Sequence, residues 1–284
     1  MKYRFIMVNQ VRRLGVYGLI GLSSLLIGGL TSMLNMYLWT RLQYILVLTS
    51  NDGVLNEVIR FYVIHILSIA SILLGIYSLF RGISSYRVLD GSIVSILGDV
   101  LRSRKYRRFG YITGISYLII YSLLSGLLIY QPDVDFKNVY GVDRPSIYTV
   151  GCCGGFGSTP KLSIFISPEY RIGSLIIPLN LLFASIIPIL FGFNMAIAYY
   201  SYEFGKGLGD RSLYLNIGAV TGLFTGCPTC AGIFLLNLAG GLGGGIASTL
   251  ATYQVFFIVI SIPLLISTPI YTAYQLSRRG CCKI

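Results

Sequence analysis

The chain has 284 residues, a mean hydropathy of +0.75 and only 11% charged residues, which excludes a soluble globular domain. Its formal charge of +12 would suggest a nucleic-acid partner, but no soluble segment is large enough to form a basic, aromatic-lined binding module. The expected class is an all-α, polytopic membrane helical bundle whose excess positive charge collects in loops held in the cytoplasm.

Six spans are expected in chain order, at about 14–38, 60–80, 111–130, 175–200, 213–238 and 246–275, because crossing a hydrocarbon core of about 30 Å takes about 20 apolar residues. The first follows Lys2, Arg4, Arg12 and Arg13; it is glycine-rich, lacks a clear cleavage motif and reads as an uncleaved anchor. With the N-terminus inside, sixteen of the 22 Lys and Arg residues fall on the cytoplasmic side. The six outside are Arg41, Arg60, Lys137, Arg144, Lys161 and Arg171. That asymmetry predicts cytoplasmic N- and C-termini for a single multi-pass domain, 1–284, in the cell membrane.

Between spans 2 and 3, segment 86–108 places Leu89, Ile93, Ile96, Leu97, Val100 and Leu101 at helical spacing and ends in Arg102, Arg104, Lys105, Arg107 and Arg108. Two placements fit this amphipathic, basic helix. It can lie on the cytoplasmic lipid surface, where each basic residue gains about 1 kcal/mol from anionic lipid, or it can pack on the protein's own cytoplasmic loops.

The outer loop, 131–174, carries Asp133, Asp135, Asp143 and the run "VGCCGGFGSTP", whose glycines allow unusual backbone geometry around Cys152 and Cys153. The aspartates read as solvated loop acids, and no Cys/His cluster has the spacing of a closed zinc site, so no metal is expected. In the last span, Pro263 and Pro269 should kink the helix and leave backbone carbonyls needing partners inside the bundle.

Span 5 poses the chemical question with "TGLFTGCPTCAGIFLL". Gly218, Gly222, Gly226 and Cys230 recur every four residues as a small-residue stripe for close helix contact. Cys227 precedes Pro228, a residue favoured at the first position of a helix, and so reads as the N-cap of a restarted helix. Backbone N–H groups and the helix dipole there lower a thiol's pKa toward a reactive thiolate. C-x-x-C spacing then makes Cys227 the nucleophile and Cys230 the resolver. At 1.5 Å per residue both lie within about 10 Å of the outer interface. The competing reading is that cysteine and glycine are simply small packers.

His65, the sole histidine, is expected about 7.5 Å below the outer interface, near the depth of the dithiol. It could accept a thiol proton or hydrogen-bond a quinone carbonyl, or merely bond to a neighbouring backbone carbonyl. Cys152 and Cys153 have Cα atoms about 3.8 Å apart, too close for an unstrained mutual disulfide, so exchange with another dithiol is favoured. Cys281 and Cys282 fall on the cytoplasmic side, out of reach.

An intramembrane C-x-x-C near the outer face with loop cysteines that can exchange with it resembles the membrane thiol oxidoreductases of the DsbB and vitamin K epoxide reductase type. That resemblance covers the cysteine arrangement alone; those families are four-helix bundles. It implies a relay in which extracytoplasmic thiol proteins reduce Cys152–Cys153, that pair reduces Cys227–Cys230, and a quinone takes the electrons. DsbD- and CcdA-type reductant conductors are a weaker resemblance, because their reactive cysteines lie on two spans. Two other classes fit the composition: a non-enzymatic membrane subunit or assembly factor of a larger complex, and a transporter for a soft metal or small solute.

Overall fold

The computed structural model describes residues 2–46, 54–86, 92–125, 127–130, 144–150, 160–167, 172–205 and 262–278. Helices α1 (Lys2–Leu46), α2 (Val54–Ser85), α3 (Ile93–Arg102), α4 (Arg104–Leu124) and α5 (Pro178–Gly205) are joined by a helical stretch at 262–278. Among the described residues three segments are long and apolar enough to cross a membrane: Leu14–Leu42, Asn56–Ser85 and Pro178–Phe204. They coincide with the first, second and fourth expected spans. The helix at the third expected position begins within the basic run at Arg104 and ends at Leu124, and the chain enters a strand at Ile129. Expected span 5 and the first part of span 6 lie outside the described residues.

The described residues divide into two compact units. One contains 22–76 and 122–185 and carries a sheet that the all-α expectation missed. Its strands are β1 (Ile129–Tyr130), β2 (Ser146–Val150), β3 (Lys161–Ser167) and β4 (Ile172–Ile176), all antiparallel in the order β1-β4-β3-β2. The sequences SIYTV, KLSIFIS and IGSLI are rich in β-branched and aromatic residues, which suit a pleated surface. The expected outer loop, 131–174, is therefore partly a sheet. In the same unit α1 and α2 pack antiparallel. A Cβ added at Gly28 would meet the Ser68 carbonyl at 2.8 Å, so only glycine permits this approach. Trp39, Val58, Phe61 and Tyr62 form a buried cluster that Leu162 of β3 and Ile176 of β4 cover.

The other unit contains 1–21, 77–121 and 186–284. Here the described part of the amphipathic segment, from Ser92 on, forms α3 and the start of α4, separated at Ser103, while Leu89 lies outside the described residues. Ser92 caps α3, its hydroxyl accepting from the Ser95 N–H at 3.3 Å. Ile96, Leu97 and Val100 are buried against Ala196, Ile197 and Tyr200 of α5 and Ala273 and Leu276 of the C-terminal stretch. The apolar face therefore packs on protein rather than lying on lipid. Burying each such side chain contributes about 1.5–3 kcal/mol.

Pro269 bears out the expectation of a stranded carbonyl. It lacks the N–H that would bond to Leu265 one turn earlier. Asn194 of α5 supplies the donor instead, its Nδ2 lying 2.8 Å from the Leu265 carbonyl oxygen. Helices α4 and α5 cross where Gly110 meets Gly192: a Cβ built on Gly110 would lie 2.9 Å from the Gly192 carbonyl oxygen.

Lys105 Nζ donates to Glu203 Oε1 at 2.6 Å, and the Tyr106 hydroxyl donates to Glu203 Oε2 at 2.8 Å. These two α4 residues precede the apolar part of the helix. The hydrogen bond to Glu203 raises the Lys105 pKa. Burial, and then the bond to Glu203, pushes the Tyr106 phenol up to about 12.

Two outcomes follow. Gly192→Ala should lower stability by about 1–3 kcal/mol through overpacking, whereas Gly15→Ala, whose Cβ meets nothing within 4 Å, should be neutral or slightly stabilising. Thermal unfolding in detergent measures both. Because the Lys105 pKa is raised on folding, its stabilising contribution is complete below the ordinary value of 10.5 and is lost as pH rises above it. The melting temperature of Lys105→Met should therefore fall less between pH 9 and pH 12 than that of the unaltered chain.

Candidate functional site

Of the residues expected to carry chemistry, the described part of the chain contains His65. Cys152, Cys153, Cys227 and Cys230, like Cys281 and Cys282, lie outside it.

His65 is fully buried on α2. Its Nε2 lies 2.9 Å from the carbonyl oxygen of Pro178, the first residue of α5. A carbonyl only accepts, so Nε2 carries the proton, and Nδ1 is left as the acceptor. Nδ1 faces the Ser32 hydroxyl of α1 at a long 3.5 Å. The ring stacks on Phe61 with centroids 5.8 Å apart and planes 10° from parallel. One imidazole thus connects α1, α2 and the start of α5.

This geometry selects among the roles expected of His65. Bonding to a neighbouring carbonyl is realised. The quinone-binding role does not fit: a quinone carbonyl needs a donor, and the only N–H of the neutral ring is committed to Pro178. Nδ1, held by one long contact, remains the ring's basic atom. Along α2, His65 lies nine residues, about 14 Å, beyond Asn56, where the apolar segment starts.

Tyr62 stands one turn before His65 on the same helix. Its hydroxyl is 2.7 Å from the Pro160 carbonyl oxygen and 2.9 Å from that of Ile176, so one proton is shared between two acceptors. Pro160 immediately follows the connection 151–159 that contains Cys152 and Cys153. That connection leaves β2 at Val150 and rejoins β3 at Lys161, which pair directly across the ladder. Tyr62 therefore fastens the root of the cysteine-bearing connection to α2, one turn from the buried imidazole. Asn35 adds a further tie between α1 and α2, Nδ2 to the Phe61 carbonyl at 3.0 Å.

Sequence reasoning passed over Ser32, Asn35 and Tyr62. A signal was present: Ser32 and Asn35 sit three residues apart in an otherwise apolar helix, as do Tyr62 and His65, so each pair shares a face. Among the described residues no group of three or more His, Cys, Asp or Glu side chains could hold a metal ion. No protein-family model, curated protein or solved structure matches the chain.

The Pro178 tie can be checked by substitution. His65→Leu removes the side-chain donor to the Pro178 carbonyl and should cost about 0.5–1.5 kcal/mol. His65→Gln, whose amide can restore a donor near Nε2, should recover part of the loss. Thermal unfolding of the two variants side by side measures the difference.

Proposed function

We propose that the protein is a membrane thiol–disulfide oxidoreductase working at the extracytoplasmic face. In this reading the chain crosses the membrane six times with both termini in the cytoplasm, and the sheet-bearing unit faces outward. The one observation that carries the reading is the Tyr62–Pro160 hydrogen bond, which roots the connection bearing Cys152 and Cys153 on α2 beside His65. A pair of cysteines on a short connection between two paired strands stands on a fixed support, and loops on a fixed scaffold commonly carry chemistry.

The chemistry proceeds by exchange. A substrate dithiol attacks the strained Cys152–Cys153 disulfide, breaking its S–S bond and leaving as a substrate disulfide. The freed outer pair then attacks the Cys227–Cys230 disulfide at Cys227, which re-forms Cys152–Cys153 and leaves an intramembrane dithiol whose two electrons a quinone would take. Cys227, before Pro228, is the attacked and later attacking sulfur, and Cys230 resolves the mixed disulfide. His65 acts as a positioning residue: it holds α5 to α1 and α2 through Pro178 and Ser32.

A second reading, a membrane subunit or assembly factor, is favoured by α1. Only 11% of its membrane-length window is buried, with Leu19, Leu26, Leu30 and Met33 all exposed. A partner's helices could cover that surface as well as lipid does. Stoichiometric co-purification, with full function after all six cysteines are changed to alanine, would favour this reading over the first.

The oxidoreductase reading is tested by trapping. Cys230→Ser should leave Cys227 in a mixed disulfide with Cys152 or Cys153, visible as a mobility shift that reductant reverses. Cys227→Ser should trap none. Equal trapping in both variants, or in neither, counts against the relay.

A further inference from the structure

The unit containing 1–21, 77–121 and 186–284 holds a cavity of about 340 Å³ between α2, α3, α4 and α5, within the roughly 300–1,000 Å³ range of small-ligand sites. Its lining combines Arg81 and Ser84 from the end of α2 and Arg107 from the start of α4 with apolar Phe80, Ile115, Leu118 and Ile189. Among the described residues no Asp or Glu lines it. The nearby acids are engaged elsewhere, Asp99 with Arg102 and Glu203 with Lys105. Arg81 and Arg107 thus have no ion-pair partner among the described residues.

Both arginines stand near the end of their helices. Arg81 lies four residues before the end of the apolar segment Asn56–Ser85, and Arg107 three residues after the start of α4. From Arg107, Ile115 and Leu118 follow at two and three turns along one face of α4. On α5, Ile189 continues the apolar wall. The basic lining residues thus stand near helix ends, and the apolar ones on α4 lie two to three turns farther along that helix.

We propose that this cavity binds one anionic membrane lipid, its phosphate held by Arg81 and Arg107 and an acyl chain laid along Phe80, Ile115, Leu118 and Ile189. Two guanidinium groups with no acidic partner among the described residues match a phosphate, which each can bind in bidentate fashion. A free phosphate would satisfy the arginines and leave the apolar lining wet. A zwitterionic lipid would bring its ammonium group against two like charges. Basic pockets between membrane helices on the cytoplasmic side are where anionic head groups are expected to be selected. With the termini inside, Arg81 and Arg107 fall on that side. The lipid would bridge α2, α4 and α5, so it also serves as a structural ligand of this unit.

Native mass spectrometry of the full-length chain in detergent doped with equimolar phosphatidylglycerol and phosphatidylcholine of matched chains tests this. The unaltered protein should retain one phosphatidylglycerol with a preference of roughly tenfold, equivalent to about 1.4 kcal/mol. Arg81→Gln with Arg107→Gln should reduce that preference to near parity. Ile115→Trp, which fills the cavity from an exposed position, should lower retention of both lipids. Millimolar inorganic phosphate should not displace the bound lipid. Equal retention of the two lipids by the unaltered protein overturns the proposal whatever the variants do, and so does an unchanged preference in a folded double variant. Displacement by inorganic phosphate would make the arginine pair a free-anion site and overturn the lipid assignment.

Discussion

Inside an apolar helix assembly, a backbone carbonyl that lacks its helical donor must be met by another group, because hydrocarbon offers none. Pro269 creates such a carbonyl at Leu265, and Asn194 reaches it from another helix. Two helical carbonyls that no proline strands also accept a side-chain donor: Pro178 at the start of α5 receives the His65 Nε2–H, and Phe61 within α2 receives the Asn35 amide across the α1–α2 contact. Each bond joins two different helices. Apolar packing is non-directional and would tolerate several neighbours for each helix; a buried amide or imidazole with one acceptor in reach does not. The glycine contacts at Gly28 and Gly110–Gly192 then set how closely the chosen neighbours approach.

The same constraint shapes the region assigned to thiol exchange. His65 gives its single N–H to Pro178, which removes it as a donor to any cofactor and makes it a three-helix connector. Above it in the sheet-bearing unit, Tyr62 shares its proton between the last carbonyl of β4 and the carbonyl of Pro160. The connection that carries Cys152 and Cys153 thus departs from a hydrogen-bonded ladder and returns beside a side chain anchored in α2.

How much was legible in the sequence varied with the length over which each signal accumulates. The apolar segments at Leu14–Leu42, Asn56–Ser85 and Pro178–Phe204 declare themselves because twenty residues of composition average out local exceptions. The stranded carbonyl near Pro269 was also legible, since proline's missing N–H is a local fact. Its partner Asn194 was not, because nothing local says which helix lies alongside. The sheet escaped for the opposite reason: strands of five to seven residues between glycine, proline and aspartate clusters read as loop. The pattern of α3 fitted lipid and protein equally, and only the positions of Ala196, Ile197 and Ala273 decided between them. For the candidate site, the burial of His65 was foreseeable and its acceptor was not. The roles of Cys227 and Cys230 still rest on the C-P-T-C chemistry alone.

Disulfide mapping by mass spectrometry in oxidised and reduced native membranes bears most directly on the thiol relay. Oxidised membranes should yield a peptide joining Cys152 or Cys153 to Cys227 or Cys230, or a Cys227–Cys230 bridge, and mild reduction should abolish it. Finding Cys227 and Cys230 as free thiols in both samples would contradict the relay and leave those cysteines as packing residues.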